Sequence, residues 1–479
     1  MVMQEIEDEY LVNDVNRLQN QINIIHLIVF FSCLSIPSII FPQYTIGVEI
    51  LASNLLFTII SISFNTFFLN KYIDTDFWFF AKRLLSFCFF YCLLYIILQY
   101  ILSYYYTPNQ FPFVLGNGSD QYFYWKYGTM VDKALSGDHT WSFLNSHDVA
   151  DQGFPVWVGI FIHIFGDIQL PIKLVNALLT GLTAITIAYS VFELTEDDFL
   201  SKLSSLIYAF LPTSGYLASL FLKETLMIFI MSLWMLSLIK FIKNFSLSFG
   251  VLLVACIASL FLFRTFMGVA AIVLSLFYVS TRGMKVFLLS LVLGGVFILG
   301  NGSKLFYASE EVNKNVSSFE KQSFYSKNKS FSTIERVGGL FVLTPLSPVM
   351  PIPSTLDARS ESNKEKIGLL YRIHMELIRI VLCFFFYLGL FYLWKDKDNN
   401  FLLLVAGAFL LLFVNTYVGV LTYYRYMAPA LMFMVPIIAV GVAKFNEHPN
   451  RNRTLLLIYT IGIIVFISLY NIYRISIIS

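Results

Sequence analysis

Residues 154–165 read FPVWVGIFIHIF, and whether they cross a bilayer decides the topology of everything that follows. A helical span needs about 20 predominantly apolar residues. This run is too short, so it reads as an amphipathic or re-entrant segment at the membrane interface. Stretches of spanning length lie near 22–42, 48–70, 84–106, 171–192, 203–220, 225–243, 246–263, 265–281, 286–303, 367–394, 401–421, 428–443 and 454–474. That makes about 13 transmembrane helices. They follow an acidic tail, 1–21, without the basic start and short apolar core of a cleaved leader.

The lysines and arginines between spans test this arrangement, because cytoplasmic connections collect them. With the N-terminus cytoplasmic and 154–165 not crossing, the inner connections hold Lys71, Lys82 and Arg83, then Lys202, then Lys240 and Lys243. Later ones hold Arg282 and Lys285, Lys395 and Lys397, and finally Lys444, Arg451 and Arg453. Every one is basic. If 154–165 crossed, the later clusters would fall outside.

Over 479 residues, 57% are hydrophobic and 13% charged, and mean hydropathy is +0.72. That is too little charge to cover a soluble surface, so the expected fold class is an all-α polytopic membrane protein with the lipid bilayer as partner. A net charge of +2 without a basic tail gives no reason to expect nucleic acid. The chain divides into the tail, an N-terminal transmembrane hairpin at 22–83, and a membrane core at 84–303 with an external loop at 107–170. An external loop or small cap at 304–366 and C-terminal helices at 367–479 complete it. Cys33, Cys88, Cys92, Cys256 and Cys383 all fall in apolar runs and read as small buried hydrophobes.

The informative ionisable residues are those at span ends that are not cytoplasmic anchors: Asp120, Asp132, Lys223, Glu224, Arg264 and Arg425. Asp120 follows Gly116, Asn117, Gly118 and Ser119, where glycines permit close approach of a ligand and Ser-Asp suits the cap of a helix starting at Gln121. From there to Leu135, Tyr122, Trp125, Thr129, Met130 and Ala134 recur near helical spacing, the pattern of a helix lying on the membrane surface. Lys223 and Glu224 open the span 225–243, Arg264 stands alone between two spans, and Arg425 lies among Tyr423, Tyr424 and Tyr426.

Outward arginines run against the positive-inside bias, and the guanidinium fork suits phosphate. A carboxylate able to take a proton, beside cations that hold a departing phosphate, suits group transfer from a lipid-linked phosphate. Each residue also has a structural reading: a cap for Asp120, a helix-dipole partner for Glu224, snorkelling anchors for the arginines. His139 and His147 with Asp138, Asp148 and Asp151 match no regular metal-ligand spacing and read as solvated loop polars.

In this order the features resemble the GT-C superfamily of integral membrane glycosyltransferases, such as protein O-mannosyltransferases and the lipid A aminoarabinose transferase. GSDQYFYWKYGTMVDKAL, residues 118–135, looks like that family's first external loop, with GT-C-like juxtamembrane helices and Asp120 at the position of the catalytic acid. Residues 154–192 look like the next juxtamembrane segment and span. Residues 206–236 look like a Pro-containing helix followed by a basic–acidic pair that borders the active site. YYRYMAPAL, residues 423–431, is similar to a late Arg-Tyr element near the donor phosphate. The family's paired acidic motif is absent, since Ser119 precedes Asp120, which leaves Glu224 and Asp132 as competing acids.

The resemblance implies inverting transfer of a sugar from a polyprenyl-phosphate-linked donor to a glycan, lipid or protein acceptor. The setting would be the non-cytoplasmic face of a bacterial inner membrane. Asp120 and Glu224 would be catalytic, Lys223, Arg264 and Arg425 would hold the donor phosphate, and Asp132, Tyr122 and Tyr424 would be accessory. No cofactor is implied with certainty, and a divalent metal stays open. A repeat-unit polymerase of O-antigen or capsule fits the same features. An exporter of lipid-linked glycans fits less well, because the expected spans hold almost no central ionisable residue.

Overall fold

The computed structural model describes residues 21–25, 27–29, 48–106, 120–145, 152–281, 344–349, 363–417 and 424–478. Regular structure among them is entirely helical. Among the described residues eight helices are long and apolar enough to cross a membrane, so the protein is multi-pass. They are α1 (Val48–Tyr72), α2 (Phe77–Tyr106), α5 (Leu170–Thr195), α8 (Glu224–Asn244), α11 (Asn363–Asp396), α12 (Leu402–Tyr417), α13 (Tyr424–Ala443) and α14 (Pro449–Ile478). Between them come α3 (Asp120–Leu135), α4 (Gly153–Phe165), α6 (Asp198–Ala209), α7 (Pro212–Ser219), α9 (Leu247–Phe263) and α10 (Thr265–Ser280).

The run that decides the topology forms α4, a 13-residue helix, too short to span. Of the other expected spans, about two thirds of 22–42 and all of 286–303 lie outside the described residues. Those at 246–263 and 265–281 are the 17- and 16-residue helices α9 and α10.

The expected span 203–220 is not one helix. It is broken into α6 and α7 at Leu211, whose ψ of 129° is extended, because a residue before proline is pushed out of the α region and Pro212 brings no N–H. A break at membrane depth survives only where protein encloses it, and every residue from Leu200 to Ile228 is buried. The carbonyls freed at the break are taken up by side chains. Ser214 Oγ donates to the Tyr208 carbonyl at 2.8 Å, Tyr91 Oη to that of Phe210 at 3.2 Å, and Cys88 Sγ to that of Ala209 at 3.6 Å. Cys88 is thus more than a small hydrophobe.

Around this broken strand of helix, α5 packs on α2, α6 and α8, while α13 packs on α11, α12 and α6. The α11–α13 contact is made by glycines, as small residues let membrane helices approach closely. A Cβ added at Gly441 would lie 2.0 Å from the Phe385 carbonyl oxygen, and one at Gly389 would lie 2.0 Å from that of Ile437. Neither backbone can step aside. Gly441→Val is therefore expected to cost at least the ~1–3 kcal/mol typical of overpacking, read as a fall of several degrees in the unfolding temperature of the detergent-solubilised protein. An unchanged temperature would mean the two helices do not meet at these glycines.

Candidate functional site

The two ends of the bundle differ in how their charges are used. At one end the basic anchors are paired with acids: Lys240 with Glu193 at 3.0 Å, Lys243 with Glu196 at 3.3 Å, Lys444 with Asp396 at 3.9 Å, and Lys202 with Asp198. An open cavity of about 590 Å³ lies there, lined by residues that include Glu193, Glu196, Lys243 and Tyr278. None of the residues singled out from the sequence lines it. Those residues gather at the other end.

At that end α3 and α4 run parallel and in close contact. Tyr124 meets Phe154 edge-on at 4.9 Å between ring centroids, and a Cβ at Gly159 would lie 2.3 Å from Val131 Cβ. Phe154 continues the contact to Phe221 at 6.3 Å, in the segment joining α7 to α8. Lys223, only 3% exposed, sets its ammonium 5.7 Å from the centre of the Tyr124 ring, a cation–π contact strengthened by burial. Asp120 opens α3 one turn before Tyr124 and so shares its side of the helix. It lies inside the helix rather than at the expected cap, and in the first turn it faces the positive end of the dipole.

Glu224 is the first residue of α8 and also 3% exposed. Its Oε2 is buried with no hydrogen-bond partner among the described residues. The dipole at a helix N-terminus favours this carboxylate, but a buried acceptor without a donor is costly. Arg264, half-buried and extended between α9 and α10, joins through its neighbour Leu262. The carbonyl oxygen of Leu262 would be 2.8 Å from a Cβ at Gly153, where α4 begins. The N-termini of α3, α4 and α8 converge here directly, and that of α10 follows Arg264. Backbone N–H groups and aligned dipoles at helix starts favour anions.

Arg425 and Tyr424 start α13. Trp234 of α8 and Phe433 of α13 are in ring contact at 6.4 Å, about equally far along their parallel helices, so α13 begins at the same end as Glu224. The side chains of Arg425 and Tyr424 lie outside the described residues. Asp132 does not join the corner: it lies about 18 Å along α3 from Asp120, hydrogen-bonded at 3.0 Å to His163 Nδ1 on α4.

One reading of the sequence is corrected here, and the inward face of α3 is added to it. The face of α3 that packs inward is Gln121, Tyr124, Gly128, Val131 and Ala134. Tyr122 and Trp125, expected on the membrane-surface side, are half-buried, and Trp125 Nε1 donates to Asp167 beyond α4. The membrane helices are also less empty of charge than expected, since Lys173, Glu376 and Arg379 are all buried. Of the loop group, His139 stacks on Phe143, while His147, Asp148 and Asp151 lie outside the described residues. Among the described residues no group of three or more His, Cys, Asp and Glu could hold a metal ion.

The corner combines carboxylates, one with an unsatisfied buried oxygen, with the enclosed ammonium of Lys223, the half-buried Arg264 and several helix N-termini. Chemically it can hold an anionic group and accept a proton beside it. A scan of known protein families finds no model that matches the chain, and a search of curated proteins finds no match.

Proposed function

We propose that the chain is a membrane-embedded glycosyltransferase of GT-C type that moves a sugar from a polyprenyl-phosphate-linked donor to an acceptor hydroxyl. The acceptor is an envelope glycan, a lipid or a protein, reached from the non-cytoplasmic side of a bacterial inner membrane. Asp120 takes the proton from the acceptor hydroxyl as its oxygen attacks the anomeric carbon. The bond from that carbon to the phosphate oxygen breaks, and one displacement inverts the configuration. Lys223, Arg264 and Arg425 stabilise the charge that builds on the departing phosphate. Glu224, beside Lys223, is the second candidate for the base.

The observation that carries this reading is the company of Lys223: a buried ammonium next to a buried carboxylate in sequence, set on the ring of Tyr124, which stands one helical turn along α3 from Asp120. The test is mass spectrometry of envelope glycans from a deletion strain against its parent. The expected result is loss of one sugar, restored by the wild-type gene and not by Asp120→Asn. Collapse of a ladder of polymer lengths would instead assign a repeat-unit polymerase, and an unchanged glycan profile would end the transferase reading.

A further inference from the structure

The start of α5 carries a polar stripe that the corner does not use. Gln169, Lys173, Asn176, Thr180 and Thr183 follow one another at three- and four-residue steps, so they share a face, and all five are buried. Thr180 and Thr183 return their hydroxyls to the carbonyls of Asn176 and Leu179 at 2.9 and 2.8 Å. The first three do not close on themselves.

Lys173 is 1% exposed. Its Nζ donates to Gln99 Oε1 on α2 at 3.2 Å and lies 4.2 Å from the centre of the Tyr100 ring. Among the described residues no carboxylate pairs with it. An ammonium carries three donors, so most of its hydrogen-bonding capacity is unspent in a place where an unbalanced charge is expensive. What its surroundings lack is a countercharge. Among the described residues the amide nitrogens of Gln99 and Gln169 and the carboxamide oxygens of Gln169 and Asn176 are buried without a hydrogen-bond partner, and Gln169, 5% exposed, stands at the N-cap position of α5. The cap receives no side-chain bond, so the first turn of α5 also presents backbone N–H groups and the positive end of its dipole. Asn176 Nδ2 then ties this wall to the Leu220 carbonyl at 3.2 Å, three residues before Lys223.

We propose that Lys173, Gln99 and Gln169 form a second, enclosed anion site between α2 and the N-terminus of α5, one that takes a phosphate group. An acceptor-rich dianion matches spare donors on an ammonium, two carboxamides and a helix start, and it supplies the countercharge the pocket lacks. A neutral polar ligand would leave the ammonium uncompensated. The site adjoins the Lys223 corner through Asn176 and Leu220, but it does not depend on the transferase reading.

The test uses the full-length protein in phosphatidylcholine nanodiscs and reads binding by thermal shift and titration without turnover. Polyprenyl monophosphate placed in the disc and inorganic phosphate in the buffer are the two probes, with free polyprenol as control. The expected result is stabilisation of the wild type by a phosphate probe and not by polyprenol. At least tenfold weaker binding is expected in Lys173→Met and in Gln169→Leu. Response to the lipid probe alone identifies a lipid-linked phosphate, and response to both identifies a site that reads phosphate whatever its carrier. Without ligand, Lys173→Met should unfold at or above the wild-type temperature, because replacing an uncompensated buried charge with an apolar group of similar size removes a desolvation cost. Equal affinity in wild type and both variants, or no response of the wild type to either probe, would overturn the proposal. A low unfolding temperature of Lys173→Met combined with wild-type affinity would overturn it too, by making the lysine structural.

Discussion

Asp120→Asn is expected to slow sugar transfer by roughly 10²–10⁴-fold, the range removed with a general base, while the protein stays folded and binds its donor. Asparagine keeps the size and one acceptor oxygen of aspartate but cannot take a proton at neutral pH. The structural part of Asp120 is small: a carboxylate in the first turn of an exposed helix end gains about 0.3–1 kcal/mol from the dipole, and α3 is held mainly by its Gly128–Gly159 contact with α4. Initial rates and unfolding temperature, measured on one preparation, separate the two roles. Rates within twofold of wild type would remove Asp120 from the chemistry. A larger loss in Glu224→Gln than in Asp120→Asn would move the base to the buried carboxylate, and Asp132→Asn offers the same comparison at the far end of α3.

The second large effect belongs to Lys223. Lys223→Gln is expected to lower kcat by roughly 10²–10³, as when one donor to a developing oxyanion is removed, and to raise the KM for the donor lipid. Lys223→Arg should recover part of the rate, since it restores the charge although its fork is larger than the ammonium it replaces. The competing explanation is that Lys223 only anchors α8 to α3 through Tyr124. In that case Lys223→Gln and Tyr124→Leu would lower the unfolding temperature together and leave kcat alone. The kcat measurement decides between them.

Helix existence was largely legible because spanning length and positive loops are coarse signals, and the short α4 could be excluded by counting alone. The Pro212 break was visible in principle but not its depth, since nothing local announces that Ser214, Tyr91 and Cys88 will meet the freed carbonyls. The packed face of α3 was not legible for a physical reason. Its contact residues are Gln121 and Gly128 as well as Tyr124 and Val131, suited to close approach to α4 rather than uniformly hydrophobic, so apolar spacing alone does not mark that face. Lys173 was overlooked inside an apolar run, although lysine and asparagine three residues apart in IKLVNALL already mark one polar face. The gathering of Asp120, Lys223, Glu224 and Arg264 at one end of the bundle could be guessed from topology. The cation–π seat of Lys223 could not, because it joins residues nearly a hundred positions apart.

The shortness of α9 and α10 has a consequence for the lipid itself. At 1.5 Å per residue, helices of 17 and 16 residues extend about 25 Å, several ångströms less than a hydrocarbon layer of about 30 Å. Hydrophobic mismatch of this sign is relieved by local thinning of the bilayer. The two helices meet at Arg264, so if they cross the bilayer the headgroup plane would sink toward that guanidinium. On the proposed reading, the long-chain phosphate donor would then be lowered toward the corner by the shape of the membrane before any side chain touches it.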